Sequence, residues 1–206
     1  MRMIIGSMGW DHPEWCEQFY PDDLPSEWRL TYYANAFPQV LLPAADWMSG
    51  DSELFRSWYA DVSDTFRFIL DVTGIEAADS QVLIQLQCCV SALGERLAGV
   101  VSWSALPQRL CTQLRVLLGD EAFLATPACP SVDPEVQLAG DRATLCVLVS
   151  SEVGRDLHRL RLVFDALIEQ FAAMPSVCLF ISGVPPEVKV MQDAATLWQL
   201  IAGMQR

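Results

Sequence analysis

The sequence predicts an α/β fold of the TIM type, a barrel of parallel strands surrounded by helices, in a shortened or incomplete form. Short apolar runs typical of strands alternate with longer amphipathic runs typical of helices, and this alternation implies parallel strands joined by right-handed crossovers. No G-x-G-x-x-G or Walker loop favours an open nucleotide-binding sheet instead. The 206 residues hold about seven strand–helix steps, whereas complete barrels of this type typically need about 250 residues. We therefore expect a single barrel domain over residues 1–206 with one step missing.

The first third of the chain begins this alternation clearly. Three apolar runs predict strands, over residues 3–6, 40–42 and 66–70. Two amphipathic stretches predict the helices between them. The first runs from Ser26 to about residue 37, and the second begins at Asp51 or Ser52, which are residue types favoured at helix N-termini.

The rest of the chain repeats the pattern with one interruption. Strands are expected over residues 99–103, 122–125, 144–149 and 177–181, and helices over residues 77–97, 107–118, 156–173 and 188–204. The segment over residues 126–140 contains three prolines and predicts a loop. Whether residues 126–143 hold a helix, a strand or only a loop is left open by the pattern. A strand–helix step missing there accounts for the short chain.

Composition excludes several classes of partner. The formal net charge is −13, and Lys189 is the only lysine, so a basic surface for nucleic acid or anionic lipid is not expected. No apolar run reaches the length of about 18 residues that predicts a membrane span, and the N-terminal apolar stretch is too short for a signal peptide. We expect a cytoplasmic protein. The seven cysteines form no C-x-x-C pair, which argues against a disulfide framework or a cysteine-based zinc site.

The most informative segment runs from Gly6 to Pro21. It follows the first predicted strand and includes the sequence Gly-Ser-Met-Gly-Trp-Asp-His-Pro-Glu-Trp. It therefore occupies the position of a βα loop, which is where ligand chemistry is commonly found in α/β proteins.

This segment resembles the opening of the YecE-like family, a bacterial and archaeal family of unknown function (domain of unknown function family 72) whose members are TIM-type barrels. The family begins with G-T-S-G-W, W-x-x-x-F-Y-P and then L-x-Y-Y-A-x-x-F-x-x-V-E-x-N-x-T-F-Y. The residues that match in order and spacing are Gly6, Gly9, Trp10, Trp15, Phe19, Tyr20, Pro21, Leu30, Tyr32, Tyr33, Ala34, Phe37 and Val40. The resemblance is specific over about the first 70 residues and implies the barrel fold, with a ligand pocket at the C-terminal ends of the strands.

The departures from the family pattern fall at those strand ends. The family's E-x-N-x-T-F-Y is replaced by the sequence over residues 41–47, and its strand-three lysine by Asp71. Its E-F-R-H-P-S-W has no equivalent near residues 123–130, and its N-N-D becomes approximately Ser182-Gly183-Val184. The resemblance therefore implies a barrel whose family site is degenerate.

Two sets of residues are candidates for the site. Aromatic side chains near strand ends can stack on flat or sugar-like ligands, although they pack cores more often; these are Trp10, Trp15, Tyr20, Trp47 and Trp103. Four oxygen and imidazole donors follow the first three strands and form a weak candidate set for a divalent metal; these are Asp11, His12, Asp46 and Asp71. The ordinary alternative is that the carboxylates are surface or helix-capping groups.

These observations lead to three functional hypotheses. The leading one is a non-catalytic binding or interaction protein without a cofactor, which covers the edge left by a missing strand with a second copy or another protein. The alternative is a metal-dependent hydrolase-like enzyme or metal-binding protein that uses the carboxylates. A third is a small-molecule sensor built on Trp10, Trp47 and Trp103, which requires a deep apolar pocket.

Overall fold

Eight strands form a closed barrel in the computed structural model, which describes residues 1–75, 80–120, 122–127 and 133–204. The strands follow one another around the barrel in chain order, and the last pairs with the first. They are β1 (Arg2–Met8), β2 (Gln39–Leu42), β3 (Arg67–Asp71), β4 (Leu97–Val101), β5 (Phe123–Pro127), β6 (Val136–Gly140), β7 (Thr144–Ser150) and β8 (Ser176–Ser182). The predicted α/β barrel is confirmed, but the expectation of about seven strands and an incomplete barrel is wrong.

The helices lie outside the barrel. They are α1 (Arg29–Ala36), α2 (Ala44–Ser49), α3 (Ser52–Asp61), α4 (Ser80–Leu93), α5 (Gln108–Leu118), α6 (Ser151–Arg155), α7 (Leu157–Gln170) and α8 (Val188–Met204). Short 3₁₀ turns at Pro13–Trp15 and Ser26–Trp28 precede α1. Neither α2 nor α6 is predicted by the sequence pattern, and residues 77–79 of the predicted fourth helix lie outside the described part of the chain. None of the described helices is both long and apolar enough to cross a membrane.

Strand β6 is the exception to the parallel pattern. It runs antiparallel to both β5 and β7, whereas every other pair around the barrel is parallel. The turn between β6 and β7 is tight, with the amide of Asp141 donating to the carbonyl of Thr144 at 2.9 Å. The carboxylate of Asp141 also accepts a hydrogen bond from the amide of Leu124 on β5, at 3.2 Å.

The direction of β6 explains the short chain. Antiparallel neighbours can be joined by a tight turn, while parallel neighbours need a crossover of a dozen or more residues. The described residues between β5 and β7 contain a strand and no helix, so the barrel omits crossovers rather than a strand. The prediction of a loop over residues 126–140 is therefore wrong for Val136–Gly140, which form β6. Residues 128–132 of that segment lie outside the described part of the chain. The open edge that motivated dimerisation is absent, because β6 closes the sheet.

Side chains fill the barrel axis. The buried residues of this inner cluster are Leu41, Ile69, Val101, Ala125, Ala139, Cys146, Leu148, Cys178 and Phe180. At the β1–β2 contact the backbones approach so closely that a Cβ on Gly6 would lie 2.3 Å from the carbonyl oxygen of Gln39. The Gln39 side chain donates to the carbonyl of Ile4 at 2.9 Å. The interior is therefore a packed core, and open space lies at the ends of the strands and between the helices.

Candidate functional site

An open groove of about 1170 Å³ lies beside the C-terminal ends of β1 and β2, between α1 and α3. We call it the tryptophan–carboxylate groove. The residues that define it are Trp10, Asp11, His12, Glu27, Trp28, Asp46, Trp58 and Asp61. Three of the predicted donor residues and one predicted aromatic residue therefore share this groove, because the loops after neighbouring parallel strands meet at the same face.

Trp10 forms the floor of the groove. Its ring is 8% exposed and meets the ring of Trp58 edge-on, with centroids 5.0 Å apart. The hydroxyl of Tyr20 donates to the Trp10 carbonyl at 2.5 Å, and Gly9, at φ +73°, allows the turn that precedes Trp10. The hydrogen bond from Tyr20 and the packing of Trp10 against Trp58 of α3 thus hold the loop in place.

Two of the predicted donors are already engaged. The carboxylate of Asp11 forms an ion pair with Arg29 at 2.5 Å, which neutralises it. Nε2 of His12 is 3.0 Å from the carbonyl of Met8; since a carbonyl only accepts, Nε2 carries the proton and donates. The His12 ring also packs against the ring of Trp15, with centroids 4.6 Å apart.

Two carboxylates of the groove have no cationic partner among the described residues. Asp46 lies in the first turn of α2, and Asp61 is the last residue of α3. Partial burial raises the pKa of Asp46; nearby His12 lowers it and Asp11 raises it. Burial also raises the pKa of Asp61. Among the described residues, Asp46 is offset only by its interaction with His12, and Asp61 by no cation.

Asp71 lies apart from this groove. It is 9% exposed at the end of β3, and its carboxylate accepts from the amide of Thr73 at 2.8 Å. Burial raises its pKa, while hydrogen bonds from Thr73 and Trp103 lower it. The carbonyl of Asp71 accepts from the indole of Trp47 at 2.9 Å. Asp71 thus joins the ends of β3 and β4 and does not meet the other three predicted donors.

The proposed metal set does not assemble. Within residues 1–75, 80–120, 122–127 and 133–204, no three histidine, cysteine, aspartate or glutamate side chains are placed so that they could hold a metal ion. Sequence reasoning put all four donors after strand ends. The structure divides them because Asp71 is buried and bonded within its own loop, while the other three line the open groove.

The other predicted aromatic residues serve packing. Trp15, Tyr20 and Trp47 are 2%, 1% and 0% exposed, and Trp103 is half-buried. Neither Trp47 nor Trp103 lines the groove, so the deep apolar pocket required by the sensor hypothesis is not formed by Trp10, Trp47 and Trp103 together. The burial of Trp15 and Tyr20 explains why the motif of the first 20 residues is rich in aromatic residues.

Four residues of the groove were not among the sequence-predicted candidates, namely Glu27, Trp28, Trp58 and Asp61. Trp28 is 62% exposed at the entrance to α1. Trp58 and Asp61 follow Leu54 by four and seven positions on α3, which places the three on one helical face. That spacing was visible in the sequence. The sequence did not show that this face packs against the loop after β1, where Trp58 meets Trp10.

A second depression, of about 790 Å³, lies at the ends of β7 and β8. Its two cationic side chains are paired, Arg155 with Glu187 and Lys189 with Asp193 at 2.8 Å. The hydroxyl of Ser151 donates to the carbonyl of Ser182 at 2.9 Å. The polar groups here mainly satisfy one another, which distinguishes this cleft from the tryptophan–carboxylate groove.

Comparison with known proteins supports the resemblance seen in the sequence. Residues 4–102 match the model of the family described as "Protein of unknown function DUF72". No curated protein matches the chain. The fold is similar to that of a DUF72 family protein from Thermotoga maritima, with a TM-score of 0.63, 12% identity, and coverage of 98% of this chain and 100% of that one. It is also similar to one from Enterococcus faecalis, with a TM-score of 0.63, 10% identity, and coverage of 96% of each chain.

The structural likeness extends over nearly the whole chain, including the half that the family model does not match. At such low identity the likeness concerns the fold alone. The chain therefore resembles the DUF72 (YecE-like) family in sequence over residues 4–102 and in fold over nearly its whole length, as expected of a member of that family.

Proposed function

We propose that this chain is a single TIM-type barrel domain that acts as a non-catalytic binding protein, and that its ligand occupies the tryptophan–carboxylate groove. The observation that carries the proposal is the pairing of aromatic rings with carboxylates that have no cationic partner in one open groove. Aromatic faces supply contact area, and a few polar groups orient a ligand.

The TIM-type interpretation is supported by the parallel pairing of most neighbouring strands, which alternate with outer helices. The parallel pairs are β1–β2, β2–β3, β3–β4, β4–β5, β7–β8 and β8–β1. Strand β6 is a local departure from this predominantly parallel barrel.

 Six of the eight neighbouring pairs are therefore parallel, and the seven strands other than β6 all run in one direction.

Loss of the family's polar site is supported by what now occupies its positions. Leu41 and Leu42, which follow the matched Val40, are fully buried in the core. Asp71, at the strand-three position, accepts a hydrogen bond from the amide of Thr73, whose hydroxyl in turn accepts one from the amide of Trp103. Because the residues at these strand ends pack the core or bond to their neighbours, a binding role is favoured over a catalytic one.

A thermal-shift screen tests the proposal, because a ligand that binds only the folded state raises the melting temperature. The screen covers peptides, sugars, nucleosides, amines and divalent metals. We expect at least one class to raise the melting temperature, and the shift to be lost in Trp28→Ala. Trp28 is 62% exposed, so this variant keeps the fold.

The matched control is Leu200→Ala, which removes another exposed side chain, 62% accessible, far along the chain on α8. It should keep the full ligand shift. A shift that persists in Trp28→Ala would place the ligand elsewhere and contradict the proposal. Turnover of a ligand, lost in the same variant, would contradict the non-catalytic role.

A further inference from the structure

We infer that the occupant of the tryptophan–carboxylate groove is a basic, lysine- or arginine-containing segment of a partner protein. The inference rests on the proposed function and names the chemistry of its ligand. Four observations support it: the charge of the groove, its aromatic walls, its size, and the charge of the chain itself.

The groove is negatively charged, and most of its carboxylates form no salt bridge with the described residues. The titratable groups that line it are Asp11, His12, Glu27, Asp46 and Asp61. Arg29 neutralises Asp11, but no salt bridge reaches the other three carboxylates within the described residues. A cation that enters the groove gains these interactions without displacing an existing partner.

The aromatic walls suit a cation that carries an aliphatic stem. Trp28 presents a largely exposed ring, and Trp58 stands edge-on to the buried Trp10 at 5.0 Å. Lysine and arginine bury their methylene groups against apolar surface while the charged end stays near solvent or carboxylates. Tryptophan is also the strongest cation–π partner among the aromatic side chains.

The size and openness favour a polypeptide over a small molecule. The volume of about 1170 Å³ exceeds the range of about 300–1000 Å³ that is usual for small-molecule pockets. The groove extends from the loop after β1 to the last residue of α3, so that carboxylates are distributed along it. An extended segment with several basic side chains meets more than one of them.

Charge disfavours a second copy of this chain as the occupant. The chain has 26 acidic and 13 basic residues, with a net charge of −13. Two copies therefore repel one another, whereas a basic partner is attracted from a distance.

Two synthetic peptides provide the test, one with four Lys-Ala repeats and one in which glutamine replaces every lysine. Binding to the full chain is measured by calorimetry at low and at high salt. We expect the lysine peptide to bind and the glutamine peptide not to bind. Asp46→Asn combined with Asp61→Asn, and separately Trp28→Ala, should each weaken binding by about fivefold to tenfold.

The matched control removes the same two charges elsewhere, as Asp64→Asn combined with Asp120→Asn. Both of these side chains are exposed and lie outside the groove. Equal weakening by the control pair would mean that only the overall negative field attracts the peptide, and would overturn the inference. Spermidine is tested in parallel, and its binding in place of the peptide would overturn the partner-protein form of the inference.

Failure of this inference is distinguishable from failure of the proposed function. If the lysine peptide does not bind, while another ligand gives a thermal shift that Trp28→Ala abolishes, the groove is a binding site for a different chemistry. A dimer in sedimentation experiments that dissociates in Trp28→Ala would identify a second copy as the occupant and overturn the inference.

Discussion

The indole Nε1 of Trp15 donates a hydrogen bond to the carbonyl of Pro186, 2.7 Å away and 171 positions later in the chain. This bond joins the loop after β1 to the loop after β8, at the place where the barrel closes. Trp15 is 2% exposed, so water does not readily replace the bond. A residue of the N-terminal motif thus stabilises the position of the loop after β8.

Trp15→Phe tests this relationship. The variant keeps an aromatic ring but leaves the Pro186 carbonyl without its donor, and an unsatisfied buried polar group costs about 1–3 kcal/mol. We expect the free energy of unfolding to fall by that amount, measured by denaturant titration. Trp15→Ala adds a cavity and should cost about 3–5 kcal/mol. Equal stability of Trp15→Phe and the wild type would show that the bond is not needed for closure.

Gly6→Ala tests the close contact between β1 and β2. A Cβ at this position lies 2.3 Å from the carbonyl oxygen of Gln39, so the strands must separate to admit it. We expect a loss of at least about 2 kcal/mol, the scale of severe overpacking, seen as a lower melting temperature. Gly203→Ala is the control, because nothing lies within 4 Å of its added Cβ and alanine favours the helix there. A loss in the control similar to that of Gly6→Ala would contradict the steric explanation.

Arg159→Gln tests the anchor of the segment before β6. The guanidinium contacts the carboxylate of Asp133 at 2.6 and 2.7 Å and that of Glu135 at 2.6 Å. It holds the pKa of Asp133 below its ordinary value. We expect Arg159→Gln to lower the free energy of unfolding at neutral pH, because Asp133 and Glu135 lose their cationic partner.

The pH dependence of this effect has a definite sign. Because folding lowers the pKa of Asp133, the stabilisation is complete above the ordinary aspartate pKa of about 3.9 and is lost as the pH falls through the folded value. The cost of Arg159→Gln should therefore shrink in acid. Arg161→Gln, which loses an exposed pair with Asp165 at 3.5 Å, should change stability by less than about 0.5 kcal/mol. A pH-independent cost for Arg159→Gln would contradict the role of the ion pair.

Asp71→Asn tests the buried carboxylate between β3 and β4. Folding raises the pKa of Asp71, so the folded state binds a proton more readily than the unfolded chain, and stability falls as the pH rises from the unfolded to the folded pKa. Asparagine keeps an acceptor for the Thr73 amide without the charge. We expect a gain of about 1 kcal/mol at neutral pH that disappears below the ordinary aspartate pKa, measured by thermal unfolding. Destabilisation at neutral pH would show that the charge itself is required.

A metal titration tests the alternative function directly. The metal-stripped chain is heated with Mg²⁺, Mn²⁺ or Zn²⁺, and we expect no specific rise in melting temperature, because Asp71 does not meet the other predicted donors. A rise of several degrees that disappears in Asp46→Ala or Asp71→Ala would restore the metal hypothesis.

Local patterns along the chain predicted much of the fold. The helix starts at Asp51 and near Asp156 were visible because these carboxylates accept hydrogen bonds from amides two and three positions later. The family motif predicted the barrel, since Trp15, Tyr20 and Tyr33 are the buried residues that connect β1 to its surroundings. Strand β6 was not predicted because it is short and lies in a segment whose three prolines indicated a loop.

The sequence by itself determined the α/β alternation, the resemblance to the DUF72 family, the acidic charge and the face on which the β1 loop lies. These depend on periodicity and motif, which are properties of neighbouring residues. Tertiary structure alone decided that β6 closes the barrel, that Asp71 is separated from Asp11, His12 and Asp46, and that Trp28 and Trp58 line the same groove as Trp10. Each of these depends on how separate strands, loops and helices come together, and such contacts are set by packing rather than by local pattern.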